Sequence, residues 1–336
     1  MSPPPIVIVG AGVLGLCTAF ELHRRGQAVV VVDPGEVNAS LVAAGMIAPA
    51  MESAIDDVSP DHARLFRAGR DLWPAFAAAA EIVLAHRPAE WRGGDVDGME
   101  ARLRALGFDA RREGDRVTTD EDYQVDPAQA LAALRQARGE AVIIGRVPGI
   151  VRTDHGWRVS VGDKLLDAEA VVLATGAGKA VAGLPESARV LIDAIQPIRG
   201  QIGVAARDLV DHVVRGPGAY IAPMASGAVI GATMEPGRRD TAPDAETSKR
   251  LTEAAWRVLD RMPEPLHIDW RAGVRGATAD GLPLAGAAPD EQGLFMALAP
   301  RRNGWLLGPL VSAVVADAIE GRAASTEARA LDPGRF

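Results

Sequence analysis

Apolar residues run unbroken from Ile6 to Val9 and then recur at Leu16, Phe20 and Leu22 with helical spacing. The segment therefore reads as a buried strand followed by a helix over 13–25. A second apolar run over 28–32 ends at Asp33. Between 61 and 85, Leu65, Phe66, Leu72, Phe76 and Ile82 recur with helical periodicity, which predicts one long amphipathic helix bent at Pro74. Residues 90–119 are polar and broken by glycine, and read as a mixed peripheral region. Asp126-Pro127 supplies an N-cap and a first-position proline for a short helix running to residue 138. Short strands are expected at 141–144, 149–153, 157–161 and 169–173, the middle pair closing around Asp154-His155-Gly156. From Arg189 strand follows strand, at 190–192, 200–204, 212–214, 219–221 and 228–230, with a hairpin turn at Ser226-Gly227. A helix over 244–262 is closed by Pro263 and Pro265, and the chain ends in strands at 268–272 and 293–298 and a helix over 305–319. Strands alternating with helices form parallel sheets, whereas adjacent strands without helices form antiparallel ones. The pattern predicts an α/β fold with a Rossmann-like domain and a second domain built on an antiparallel sheet. The division expected is 1–80, 125–195 and 268–336 for the first, and 81–124 and 196–267 for the second.

Glycines punctuate the first strand–helix junction as Gly10-Ala11-Gly12-Val13-Leu14-Gly15. Gly10 permits a tight turn, Gly12 lets a pyrophosphate approach the backbone, and Gly15 lets strand and helix pack closely, while free N–H groups at the helix start hold the phosphate charge. Asp33, at the end of the second strand, can accept both hydroxyls of an adenosine ribose and would repel the 2′-phosphate of NADP. A second glycine-rich turn, Ala174-Thr175-Gly176-Ala177-Gly178, follows another apolar strand, so the chain revisits one sheet. The small residues between Asn38 and Pro49 suit backbone contact with a flat ligand or a helix turn packed on the sheet.

Composition narrows the classes. With 336 residues, 48% hydrophobic and 24% charged, the chain can fold as two domains sharing a large core. A net charge of −8 with no basic run argues against a nucleic-acid surface. One cysteine, Cys17, allows no intramolecular disulfide, so a reducing cytoplasm is expected. No apolar stretch is long enough to span a bilayer, no secretion signal is recognised at the N-terminus, and no metal set is expected. The sequence leaves open whether the chain forms a homo-oligomer.

Several motifs in fixed order resemble one family. They are the N-terminal glycine loop, Ala39-Ser40 with Ala43-Ala44-Gly45-Met46, Val125-Asp126-Pro127, Leu173-Ala174-Thr175-Gly176-Ala177 and Pro197-Ile198-Arg199-Gly200-Gln201. Tyr220-Ile221-Ala222-Pro223 leads on to Gly231-Ala232-Thr233-Met234-Glu235, then come Arg271-Ala272-Gly273-Val274-Arg275 and Arg302-Asn303-Gly304. Together they resemble the glycine oxidase group of the D-amino-acid-oxidase-like flavoproteins, over nearly the whole chain. The resemblance implies a D-amino-acid-oxidase type of FAD-binding domain with non-covalent FAD. Val147 would then lie by the adenine, Ser40, Ala44, Gly45 and Met46 along the cofactor, and Thr175, Gly176 and Arg275 close to it. Asn303, Gly304, Trp305 and Leu306 would open the last helix beside the flavin's pyrimidine edge, where a helix N-terminus stabilises negative charge. Cys17, inside the nucleotide helix, reads as a small buried residue and not as a flavin attachment point.

The resemblance further implies a small amino-acid or amine substrate, hydride transfer to flavin N5, imine hydrolysis, and reoxidation by O2 to hydrogen peroxide. Arg302 matches the family's carboxylate-binding arginine, since a guanidinium pairs both carboxylate oxygens. Tyr220 matches the assisting tyrosine, and Glu52 and Met234 match positions lining the active site. Other readings stay open. Glu52 reads equally as a solvated loop acid, Met234 and Tyr220 as core, and the electrons could pass to a quinone or protein instead of oxygen. An NAD-dependent dehydrogenase or a non-catalytic flavin-binding partner fits fewer of the motifs. Ala299-Pro300-Arg301 replaces the Gly-His-Tyr common before Arg-Asn-Gly, and Met224 replaces a basic residue. If Arg301 points inward, its second positive charge favours a dicarboxylate or another anionic amine.

Overall fold

Val7 and Ile8 are fully buried although they point to opposite faces of their strand, as a parallel strand covered on both sides requires. The computed structural model describes residues 3–137, 142–178, 180–262 and 265–336. The expected starts and stops at 138, 141 and Pro263 lie outside them. Ile6–Val9 pairs in parallel with Val29–Asp33 on one side and Ala170–Leu173 on the other. This sheet has six strands, continuing to Ile143–Ile144 at one edge and through Leu294–Leu298 to the antiparallel Leu284–Ala287 at the other. The second glycine-rich turn therefore does return the chain to the nucleotide sheet. An edge strand at 284–287 was not legible in the pattern, nor was Lys164–Ala168, which completes a small antiparallel sheet with Ile150–Thr153 and Gly156–Val161.

Two helices cover this sheet in close contact, Val13–Arg24 and Gly304–Ile319. Leu16, Leu22, Leu307 and Val311 are fully buried in one cluster with Cys17. Trp73, also fully buried, donates its indole N–H to the carbonyl of Trp305 at 2.8 Å and so fixes the start of the last helix.

The second layer is a nine-stranded sheet. Its longest ladder pairs Gln196–Ala205 with Ile268–Ala277 antiparallel over ten residues. The sequence-based division places 268–277 with the nucleotide domain, but hydrogen bonding puts that strand in the large sheet. Ala89–Arg92, Val213–Gly216, Ala219–Met224 and Gly227–Gly231 lie side by side in it. The stretch 90–119 is thus not peripheral, since it supplies three strands to this sheet and the helix Val96–Ala105. Ala245–Leu259 packs on the far side through Leu251, Ala255, Val258 and Leu259.

Three further expectations are corrected. Residues 190–192 form part of the helix Glu186–Asp193, in which Ala188 and Ile192, one turn apart, are buried and Val190 faces solvent. The single helix over 61–85 is instead two, Pro60–Asp71 and Trp73–Ala79, because a proline places its ring against the preceding turn. Leu84–His86 is a strand. The hairpin turns at Ala225 and Ser226, one residue earlier than expected.

Candidate active site

Gly10 leaves the first strand with φ +115°, a conformation L side chains rarely adopt, and a Cβ there would collide with the carbonyl of Ala174 in the second glycine turn. A Cβ on Gly15 would strike the carbonyl of Gly10, so helix and strand touch as expected. Asp33 accepts from the amide of Ala11 at 2.7 Å, which ties the acid at the end of the second strand to the loop. Ser40 accepts from the amide of Val13 at 3.0 Å. Neither Gly12 nor Asn303 gives a side-chain cap to the helix it opens, and both residues line one cavity. Apart from the Val13 amide held by Ser40, the two helix N-termini thus turn open amides and positive dipole ends toward the same space.

The cavity measures about 420 Å³. From the nucleotide side Gly12, Val13, Leu14, Ser40 and Gly176 line it, together with Ala44, Gly45 and Met46. Gln124 holds that small-residue loop in place, donating to the carbonyls of Ala44 at 2.9 Å and Pro223 at 2.8 Å. Gly304 and Trp305 close the end. Gly10, Gly15, Asp33 and Thr175 lie behind this wall, Leu306 is buried in the core, and Val147 packs against the second hydrophobic cluster. Cys17 is buried in the first helix away from the cavity wall, and burial raises its thiol pKa.

The opposite wall is charged. All four residues expected there, Glu52, Tyr220, Met234 and Arg302, line it, and Arg215, Arg275 and Arg301 join them. Arg302 binds Glu52 through Nε and lies 3.1 Å from Asp56 through Nη2. Arg301 pairs with Asp56, and Arg215 donates to the other oxygen of Glu52 at 2.7 Å. Burial alone would raise the Glu52 pKa, but Arg302 and Arg215 hold it down at about 2. With both oxygens engaged, Glu52 is a structural counter-ion and offers no lone pair to an amine. Arg302 is buried, yet its carboxylate partners hold its pKa above the ordinary value.

Arg275 stands apart. Its guanidinium donates to the carbonyl of Thr233 at 2.9 Å and to the sulfur of Met234 at 3.3 Å, and no carboxylate pairs with it among the described residues. Desolvation lowers its pKa. The space it fills exists because residue 200 on the neighbouring strand is glycine, where a Cβ would overlap Nη2. Tyr220 has the same arrangement, as a Cβ on Gly231 would overlap its ring and hydroxyl. Burial raises the Tyr220 pKa to about 12, so its hydroxyl keeps its proton.

The sequence reading missed Arg215, Trp91 and Asp56. The helix Pro49–Asp56, which carries both Glu52 and Asp56, had no periodic apolar run long enough to announce it. Asp122 is also buried, against Arg215 and Glu52, and desolvation raises its pKa to about 8.

Comparison with known proteins agrees with this geometry. Residues 5–318 match the family described as FAD dependent oxidoreductase, DAO. The chain is 30% identical to a glycine oxidase of Geobacillus kaustophilus (strain HTA426), covering 94% of this chain and 92% of that one. It is also 30% identical, over its whole length, to a tRNA 5-methylaminomethyl-2-thiouridine biosynthesis bifunctional protein MnmC of Caulobacter sp. (strain K31), of which it spans only 58%. A crystal structure of glycine oxidase from Geobacillus kaustophilus superposes with a TM-score of 0.84 at 25% identity, with all of both chains covered. The family match spans most of the chain and the Geobacillus relative nearly all of it, and the chain belongs to the DAO family of FAD-dependent oxidoreductases.

Proposed function

We propose that the protein oxidises a small amino acid or N-substituted amino acid at the carbon bearing the amine. The observation that carries this reading is the guanidinium of Arg275, inside the cavity beside Tyr220 and without a carboxylate of its own. A buried cation lacking a counter-ion is costly, and a substrate carboxylate removes that cost. The clamp is therefore assigned to Arg275 with Tyr220 donating its hydroxyl proton to the same carboxylate. Arg302, ion-paired with Glu52 and Asp56 although its Nη2 makes no hydrogen bond, shapes the wall. This differs from the assignment that the motif Arg302-Asn303-Gly304 suggests by itself.

FAD would be held by the first glycine loop, by Asp33 and Ser40, along Ala44, Gly45 and Met46, and at the N-termini of the two helices. The chemistry supplied by bound FAD is two-electron oxidation of the C–H bond beside the amine, with dioxygen as acceptor and hydrogen peroxide as product. The side chains of this wall contribute orientation and a charge field. Four guanidiniums face two carboxylates at the cavity, and that surplus favours the neutral form of a bound amine, so the wall needs no dedicated base. Water entering the site hydrolyses the released imine. The relatives include an enzyme of tRNA modification, but a net charge of −8 favours a free small molecule over a nucleic acid.

The test is anaerobic mixing of the yellow protein with glycine, sarcosine, D-alanine and dicarboxylic amines, followed by admission of air. Bleaching by at least one of them and stoichiometric peroxide on reoxidation are expected. A protein that stays yellow with all of them refutes the reading. Bleaching without peroxide moves the electrons to another acceptor.

A further inference from the structure

We infer that Arg199, a residue outside the cavity, is the positioning residue of the Arg275 guanidinium and acts through the chain segment between Gly231 and Ala245. The inference rests on the clamp proposed above and assigns what aims it.

Arg275 is held by two acceptors, the Thr233 carbonyl at 2.9 Å and the Met234 sulfur at 3.3 Å. Both lie on a segment that pairs with a strand only at Glu235–Pro236, between the strand Gly227–Gly231 and the helix Ala245–Leu259. An acceptor carried on irregular chain aims a guanidinium only as firmly as that chain is fastened.

The fastening comes from the opposite face of the sheet. Gly200 lines the cavity, and a Cβ there would overlap Arg275. Its neighbours Arg199 and Gln201 therefore project the other way, toward the helix Ala245–Leu259. Arg199 is fully buried. Its Nη1 donates to Glu235 at 2.7 Å, and its Nη2 to Gln201 at 3.0 Å and to the Ala242 carbonyl. Its Nε lies 3.2 Å from Asp240 without making a hydrogen bond. One buried cation thus grips the segment at 235, 240 and 242.

From Arg199 to Arg275 the path is short. The Glu235 oxygen that accepts from Arg199 also accepts from the Thr233 hydroxyl at 2.7 Å, and that hydroxyl accepts from the Gln201 amide at 2.9 Å. Burial would raise the Glu235 pKa, but Thr233, Arg199 and Arg238 hold it below the ordinary value, so these bonds are made to a carboxylate and are of the stronger kind. Thr233 is pinned by its hydroxyl on the side of Arg199 and presents its carbonyl to Arg275. Gln201 also has a purely structural task, donating to the Asp244 carbonyl at 3.0 Å and to Ser248 at 2.8 Å and so seating the start of the helix.

The test uses methoxyacetate, an unreactive carboxylate, on the FAD-loaded protein, with its dissociation constant read from flavin absorbance. Thr233→Val keeps the branched shape and cuts the path at the hydroxyl. Arg199→Lys keeps the charge and loses the fork. Each is expected to weaken methoxyacetate about fivefold or more, the scale of one charge-assisted hydrogen bond. Neither is expected to weaken it further in an Arg275→Leu background, where nothing is left to position. Ser248→Ala, which cuts only the link to the helix, should lower the melting temperature and leave ligand affinity unchanged. If Thr233→Val and Arg199→Lys also lower the melting temperature alone, or weaken the ligand equally with and without Arg275, their role is structural and the inference is overturned while the clamp stands. Should Arg199→Lys fail to fold, Thr233→Val decides. If Arg275→Leu binds methoxyacetate as the parent does, the clamp falls and the positioning role falls with it.

Discussion

The cavity has two walls that bind by different physics. The nucleotide wall works with backbone: glycines that admit close approach, the Asp33 carboxylate tied to a loop amide, and helix ends with open N–H groups. The substrate wall works with side-chain charge gathered from a sheet, a helix and a turn, in which Arg215, Glu52, Arg302, Asp56 and Arg301 alternate in sign and Arg275 is left over. A change at the glycines of the first wall acts by shape. A change on the second acts through ionisation.

The largest effect is expected at the first wall. Gly10→Val forces a β-branched residue into a positive-φ position and into the carbonyl of Ala174. The purified variant should be colourless while keeping its far-UV circular dichroism, and normal flavin content would show that the loop does not set cofactor capture. Next comes Arg275→Leu, which should retain flavin and lose about two to three orders of magnitude in kcat/KM, the scale of removing one partner from a buried charge pair. Steady-state kinetics of Arg275→Lys should recover part of that loss, and Arg302→Lys should cost less than Arg275→Leu if the walls divide their work as described.

The two buried acids sharpen the contrast by opposite pH responses. Glu52 has a folded pKa of about 2, below its unfolded value, so its contribution is present above about pH 4.5 and fades as pH falls toward 2. Urea denaturation should show Glu52→Gln less stable than the parent above pH 5, by roughly 3 kcal/mol, with the gap closing in acid. Asp122 has a folded pKa of about 8, above its unfolded value, so the unfolded chain releases the proton first and stability declines as pH rises from about 4 to 8. Asp122→Asn should therefore gain on the parent over that range, and a gap that does not change with pH would remove Asp122 from the titration. The smallest effect is Tyr220→Phe, for which about a tenfold rise in KM is expected from one lost hydrogen bond to a charged group.

The difference between the walls also explains what could be read from sequence. Turn glycines, strand runs and a proline-led N-cap are local, and Gly10, Gly12, Asp126 and the strand Ile6–Val9 occupy the places their neighbours in sequence suggest. The charged wall is assembled from residues 91, 215, 220 and 275 by pairing within the large sheet, and from residue 302 in the turn before the last helix. Nothing near Arg215 in the chain marks it as facing Trp91 rather than solvent. Arg275 and Arg302 look alike in the sequence, and only the carboxylates folded against Arg302 tell them apart. The helix Glu186–Asp193 was misread because its three β-branched or aliphatic residues in a row favour a strand locally, while burial of Ala188 and Ile192 decides for a helix.

The six-stranded sheet joins the start of the chain to residues 294–298, with the helix beginning at Gly304 laid against the one beginning at Val13. During synthesis the dinucleotide turn thus emerges about 280 residues ahead of the strand and helix that complete the pocket. Cofactor loading is consequently expected late in this protein's biogenesis, and a translation product that stops short of residue 305 would leave the apolar face of the helix Val13–Arg24 uncovered.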